Sequence, residues 1–394
     1  MVTDPWQAPD APVAPRYGEF APPVSPDQSA PHPYGSYPGG PYPGGAPGQG
    51  WAPPPKPGLI PLRPIGFGTL LGASFQVLRR NPKATFGSGL IVQAAIMLIT
   101  VVIVGLVTFW AIDRIDSAPL DQKDAVTAGS LLAGALSAII PIALSLIASA
   151  LLQAVIVLEV ARATLGEKLR LGALWRTAAT RLWPLVLWTV LLTVALFIGV
   201  AVIAGIVVAL ISVGGTAGFV AGVLVGIFGG LLLAAVSAFL YAKTSVVPSL
   251  IVLEKLGVRA SVVRSWSLTR GYFWRTLGVL LLIGLIVQVI TQIITTPVSL
   301  LMGIGASLID PNGAFTDETT YIITALSLII AIPVAAVAAV VQSAAIALIY
   351  LDLRMRKEGL DLELARYVES AAQGGNVPDP YLVPTAPGTG YPAA

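Results

Sequence analysis

Between residues 84 and 350 the chain alternates long apolar runs with short polar ones, and the runs have the length of membrane-crossing helices. A hydrocarbon core needs about 20 consecutive apolar residues in a helix. Six stretches exceed that, roughly 84–112, 129–158, 183–211, 217–241, 277–308 and 321–350. Several are long enough to require tilt, kinks or extension past the hydrocarbon. Pro141, Pro297 and Pro333 fall inside three of them and are expected to kink their helices. The pattern predicts an all-α, polytopic integral membrane protein.

The polar intervals carry a second pattern. Before span 1 stands GFGTLLGASFQVLRRNPKATFG, before span 3 RLGALWRTAATRLWPLVLW, and before span 5 GVRASVVRSWSLTRGYFWRTLG. Each reads as a short amphipathic helix, then arginine, then proline or aromatic residues. In the second, Leu171, Leu174, Trp175 and Ala178 recur at i, i+3, i+4, i+7, with Arg170, Arg176 and Arg181 off that face. In the third, Val258, Val262 and Trp266 share a face while Arg259, Arg264 and Arg270 point elsewhere. Spans 2, 4 and 6 end alike, each with an acid at the exit: Glu159, Glu254 and Asp352. The expected unit is interfacial helix, span in, tight turn, span out, repeated over about 63–161, 166–254 and 255–357.

Charge placement orients the bundle. The 2–3 and 4–5 connections hold Arg162, Lys168, Arg170, Arg176 and Arg181, then Lys255, Arg259, Arg264, Arg270 and Arg275. Arg63, Arg79, Arg80 and Lys83 precede span 1, and Arg354, Arg356 and Lys357 follow span 6. The other connections carry only Arg114 and Lys123 against Asp113, Asp116, Asp121, Asp124, Asp310, Asp317 and Glu318. The positive-inside rule then places both termini in the cytoplasm of a plasma-membrane protein.

Composition agrees with lipid as the solvent: 55% hydrophobic, 11% charged, mean hydropathy +0.82. Soluble domains carry about 25% charged residues. With no cysteine, disulfides and thiolate chemistry are excluded, and the single histidine, His32, sits in a Pro/Gly tract. Within residues 1–58 the run PHPYGSYPGGPYPGGAPGQGWAPPPKPG has almost no aliphatic residues and repeats Tyr-Pro-Gly-Gly at Tyr37 and Tyr42. The whole segment reads as a disordered cytoplasmic tail with no basic or apolar signal region. Residues 59–360 are the expected membrane domain, and 361–394 a short helix followed by a disordered tail.

Candidate chemistry is sparse. Span 4 has glycine at every fourth position, Gly214, Gly218, Gly222, Gly226 and Gly230, a stripe that lets another backbone approach. It is expected against span 3 or 5, with a dimer seam as the alternative. Intramembrane polar residues are functional candidates: Ser145, Ser149 and Gln153 on span 2, Gln288, Gln292 and Thr295 on span 5, and isolated Gln93 and Gln342. Lys243, near the inner end of span 4, is expected to snorkel or to pair with Glu159 or Asp352. No carboxylate sits mid-span, and no Walker, HExxH or GxSxG motif occurs. No enzyme activity, cofactor, metal or nucleic-acid partner is expected.

The stretches PSLIVLEKLGVRASVVRSWSLTRGYFWRTLGVLLL, IPLRPIGFGTLLGASFQVLRRNP and LIYLDLRMRKEGLDLEL together resemble the glycerophosphoryl diester phosphodiesterase membrane-domain family. The resemblance spans about residues 60–365. It implies a bacterial six-span module, often with a Pro/Gly/Tyr-rich cytoplasmic tail. Some members carry a catalytic phosphodiesterase barrel, and its metal-binding residues have no counterpart here.

Two functions follow as expectations. The first is an anchoring or regulatory module engaging anionic lipid headgroups, a second copy or another membrane protein. Its contacts would be Arg79, Arg80, Arg176, Arg181, Arg264, Arg270 and Arg275 on the interfacial helices. The second is a small transporter or lipid-handling protein with a polar path between spans 2 and 5. A dry core over a cationic underside would favour the first. A cavity lined by Gln153, Gln288 and Gln292 would favour the second.

Overall fold

The computed structural model describes residues 58–309, 317–373, 375 and 378–382. The tail expected over 1–58 lies outside them apart from Gly58, as do residues 383–394. All regular structure among the described residues is helical. The first repeat comprises α1 (Phe67–Arg80), α2 (Phe86–Asp116), α3 (Lys123–Ser137) and α4 (Ile139–Thr164). The second comprises α5 (Leu171–Ala179), α6 (Leu182–Val213), α7 (Gly215–Thr244) and α8 (Val247–Leu253). The third comprises α9 (Val258–Thr269), α10 (Phe273–Ile309) and α11 (Asp317–Glu358), and α12 (Leu360–Ala372) follows. Taking α3–α4 and α7–α8 as one stretch each, six are long and apolar enough to cross a membrane. The protein is an all-α polytopic membrane protein of three helix-pair repeats, each led by an amphipathic helix.

Proline explains where two spans are interrupted. Pro141 cannot donate to the Ser137 carbonyl, and α3 ends at Ser137; Pro248 cannot donate to that of Thr244, and α7 ends there. Pro297 and Pro333 lie within α10 and α11, which continue through them.

The repeats also close alike. Gly166 stands seven residues after Glu159 and Gly359 seven after Asp352, with φ of 82° and 67°. At both positions the outgoing span ends in a left-handed turn that glycine adopts without steric cost. In the second repeat Lys255, with φ 57°, takes this role directly after Glu254.

The leading helices bury one face each. α1 buries Leu70, Ala73, Ser74 and Val77, at i, i+3, i+4, i+7, and α5 buries Leu174 and Ala178. α9 departs from the expected face. It buries Ser261, Ser265, Leu268 and Thr269, leaving Val258 and Val262 half-buried and Trp266 exposed. The reason is a close approach: Ser265 Oγ donates to the Lys243 carbonyl at 2.7 Å, and small hydroxyl residues let α9 sit against the end of α7.

The core lies at one end of the bundle, where α1, α5 and α9 gather. Residues 154–161 of α4, 242–254 of α7–α8 and 344–355 of α11 are buried throughout. α11 is the central element, packed on α1, α2, α4 and α10. The far halves of α2, α6 and α7 expose large apolar side chains such as Leu106, Phe109, Val208 and Phe228, which lipid solvates without penalty.

The α6–α7 hairpin packs mainly on itself. A Cβ on Gly218 would meet the Leu210 carbonyl, and one on Gly222 would meet Ile211 and the Val207 carbonyl. Gly226 faces Val207 at 3.7 Å, but around Gly230 nothing lies within 4 Å. The seam passes instead to Gly229, against Ile203, and to Leu233, which fills the space opposite Gly199. A spacing of four overshoots a 3.6-residue turn by about 40° per step, so a period-four stripe rotates off a straight seam. Gly230 thus faces open space within this chain, while Gly218, Gly222 and Gly226 face α6.

Candidate functional site

The basic residues divide into two groups. Arg264 does not face headgroups freely. It is ion-paired with Glu254, to whose Oε1 it also donates at 3.0 Å, and it reaches Glu358 at 3.0 Å. Burial opposes the charge on this guanidinium, but bonding to Glu254 outweighs it and its pKa stays above the usual arginine value. Arg275 donates to the Ile65 carbonyl at 2.6 Å and pairs with Asp352 at 3.1 Å. Both arginines hold helix ends together, a correction to their expected role as lipid contacts. Arg79, Arg176 and Arg270 are exposed, while Arg80 and Arg181 are half-buried. The Arg80 Nε is buried without a hydrogen-bond partner.

The exit acids organise this end. Glu254 accepts from Tyr350 Oη at 3.0 Å, and Arg354 donates to Tyr350 Oη at 2.9 Å and to Glu358 at 2.9 Å. Asp352 pairs with Arg356 at 3.0 Å as well as with Arg275. Glu159, 1% exposed, takes one bond from Asn81 at 3.0 Å. Lys243 pairs with neither Glu159 nor Asp352. Its ammonium lies 5.3 Å from the Trp266 ring centroid and 5.7 Å from that of Phe273. Aromatic faces thus replace the expected carboxylate.

Residues 378–382, expected within a disordered tail, pack against the helix ends. Tyr381 is 1% exposed, donates from Oη to the Ala161 carbonyl at 2.7 Å, and accepts at its own carbonyl from Arg354 at 3.1 Å. Asp379 pairs with Arg162 at 2.7 Å. Burial raises the Tyr381 phenol far above its ordinary pKa. The Pro-Asp-Pro-Tyr sequence at 378–381 was the available signal: two prolines framing an acid, then a large aromatic.

Above this ionic layer lies a cavity of about 280 Å³. Its polar lining includes Gln93 from α2, Ser149 and Gln153 from α4, Thr189 from α6, Tyr241 and Thr244 from α7, Ser245 just after it, and Gln342 and Ser343 from α11. Gln93 stands seven residues into α2 and Gln153 eleven before the end of α4, about 10 and 16 Å along their helices. The cavity therefore occupies the half of the bundle nearest the leading helices. Among the described residues, no Asp, Glu, Lys or Arg lines it. Ser149, Thr189 and Thr244 donate to carbonyls of their own helices, at 3.0, 2.9 and 2.7 Å. Their oxygens remain as acceptors. The Gln93, Gln153 and Gln342 amides have no protein hydrogen bond among the described residues.

A second cavity of about 460 Å³ shares Tyr241 and Gln342 with the first and is otherwise lined by α10 residues, including Gln288, and by Ala345. The path expected between spans 2 and 5 thus runs differently. Gln153 and Gln288 line separate cavities with Gln342 of the sixth span shared between them, and exposed Gln292 lines neither. Trp188, Tyr241 and Ser343 were missed in the sequence, where single polar or aromatic residues in apolar runs gave no sign of a common site.

An all-α bundle of six helices long and apolar enough to cross a membrane, with a cavity above a layer of ion-paired helix ends, defines a multi-pass membrane protein. The sequence pattern of the family described as Domain of unknown function (DUF7847) matches residues 71–353, and the chain belongs to that family. No curated protein and no solved structure matches the chain.

Proposed function

We propose that this protein is a non-catalytic lipid-handling or small-solute protein of the plasma membrane. The observation that supports this reading is the cavity whose polar lining comes from α2, α4, α6, α7 and α11. Unpaired amides within a span are costly unless a ligand, water or another polar group completes them. Several helices bring such groups to one place here. Carboxylates and arginines are instead engaged at the helix ends, outside the cavity, leaving no acid–base pair at its wall.

Both termini lie in the cytoplasm on this reading, because the basic residues of the leading helices and of the α11 end gather on one side. Native mass spectrometry of the detergent-purified full chain tests the proposed function. A retained small molecule or lipid, displaced in a Gln153→Leu variant, is the expected result; a bare protein under all detergents tried would sink the proposal. The same spectra report stoichiometry, hence whether a second copy is a partner.

A second reading, anchoring to anionic lipid, rests on exposed Arg79, Arg176 and Arg270 at the same end as exposed Trp183, Trp266 and Trp274. Such aromatic–basic surfaces sit at the headgroup level. The two readings are compatible, since one concerns the cavity and the other the surface beneath it.

A further inference from the structure

We infer that the two cavities hold one ligand between them, a membrane lipid with an uncharged, hydroxylated headgroup; this rests on the lipid-handling reading above. The cavities meet at Tyr241 and Gln342, which line both. Hydrogen-bonding groups are concentrated in the first and sparse in the second, as the head and chain of an amphiphile require. The first brings amides and hydroxyls from five spans together among apolar neighbours such as Leu152, Trp188, Leu192 and Ile346. The second is walled mainly by Leu280, Leu281, Ile283, Gly284 and Leu285 of α10. Leu281 and Leu285 are 57% and 59% exposed on the lipid-facing surface of α10, so an acyl chain reaches this groove from the bilayer without crossing polar surface. A head entering the first cavity passes Tyr241 and Gln342, two side chains able to bond it on the way.

The headgroup class follows from charge and from hydrogen-bond sense. A phosphate buried where no lysine or arginine lines the wall would remain uncompensated in a low-dielectric site. The hydroxyls of Ser149, Thr189 and Thr244 have their protons committed to helix carbonyls and offer lone pairs. Such a wall suits a ligand rich in O–H donors, and the glutamine amides serve its oxygens. The volumes, about 280 and 460 Å³, bracket the lower limit of about 300 Å³ for small-molecule pockets. Glycerol or a single sugar ring fits the first on this scale. A diacylglycerol or a monoglycosyl diacylglycerol meets every condition; free glycerol or glucose meets only the polar ones.

Thermal unfolding and equilibrium binding of the purified full chain test this. The probes are dioleoylglycerol, monoglucosyl diacylglycerol, phosphatidylglycerol, free glycerol and free glucose. The variants are Gln153→Leu in the polar cavity, Gly284→Leu in the groove and Gln292→Leu as a control lining neither. A Cβ on Gly284 meets nothing within 4 Å, so the leucine occupies the groove without displacing the fold. One or both uncharged lipids should raise the unfolding temperature by several degrees. Gly284→Leu and Gln153→Leu should each weaken their binding at least tenfold, and Gln292→Leu should leave it unchanged.

Equal binding of free sugar or glycerol, unaffected by Gly284→Leu, would overturn the lipid inference while leaving a solute-binding cavity. Phosphatidylglycerol binding as tightly and lost in Gln153→Leu would overturn the uncharged head. No response to any probe would also overturn it, and native spectra showing no retained molecule would remove the parent reading with it.

Discussion

Asp352 accepts the backbone amide of Ile65 at 2.9 Å across 287 positions of sequence, tying the start of the first repeat to the exit of the third. The Ile65 carbonyl accepts from Arg275 at 2.6 Å and from Arg356 at 2.8 Å, both of which also pair with Asp352. The backbone N–H and C=O of one residue are thus both held by a single ion cluster, and the repeats close into a ring at this end.

Asp352→Asn keeps the shape and removes the charge that balances two arginines. Breaking a buried pair typically costs about 3–5 kcal/mol, and the Asp352 side chain is only 3% exposed. A marked fall in unfolding temperature in detergent is expected. Circular dichroism at the helical band measures it, and an unchanged midpoint would show that the cluster does not hold the ring.

The glycine seam makes a paired prediction. Gly222→Leu drives a side chain into Ile211 and the Val207 carbonyl, whereas Gly230→Leu enters open space. The first should separate α6 from α7; the second should be tolerated. Because the chain has no cysteine, an introduced pair across the hairpin reports the separation by cross-linking yield. Equal yields in both variants would remove the seam assignment.

Exposed and engaged arginines should behave oppositely. Neutralising Arg79, Arg176 and Arg270 to glutamine should weaken binding to anionic vesicles by about 1 kcal/mol each, with little change in stability. Arg264→Gln should do the reverse, because it leaves buried Glu254 with only the longer ion pair to Arg354 at 3.6 Å. Vesicle co-sedimentation at two salt concentrations, beside a melting curve, separates the two effects.

Tyr381 predicts an alkaline transition. Its folded pKa is raised by burial, so its contribution is complete below the unfolded value of about 10 and is lost as pH rises beyond it. The 378–382 segment should become accessible to protease above about pH 10. Tyr381→Phe removes the titration and about 1 kcal/mol from the lost bond to Ala161. Persistence of the alkaline step in that variant would assign it to another group.

The spans, the leading helices and the three-fold repeat were legible because each depends on local pattern. Length in apolar residues sets a span, and a proline stops a hydrogen bond four residues back, as at Pro141 and Pro248. The site was less legible. Arg264 and Arg79 are the same residue type on equivalent helices, and only their neighbours distinguish an ion-paired arginine from a free one. Gly230 continues a perfect period in sequence yet leaves the seam, because the helix turns every 3.6 residues. Lys243 found aromatic faces, and Tyr381 a buried seat, through partners on other elements.

By itself the sequence determined that this chain lives in a membrane as six helices in three repeats, since lipid demands that each segment satisfy its own backbone. The tertiary structure alone decided that Gln93, Gln153 and Gln342 share a cavity and that Gln288 borders its neighbour. It also decided that most exit charges are paired. Those outcomes depend on which helix faces meet, and that is set by packing between segments far apart in the chain.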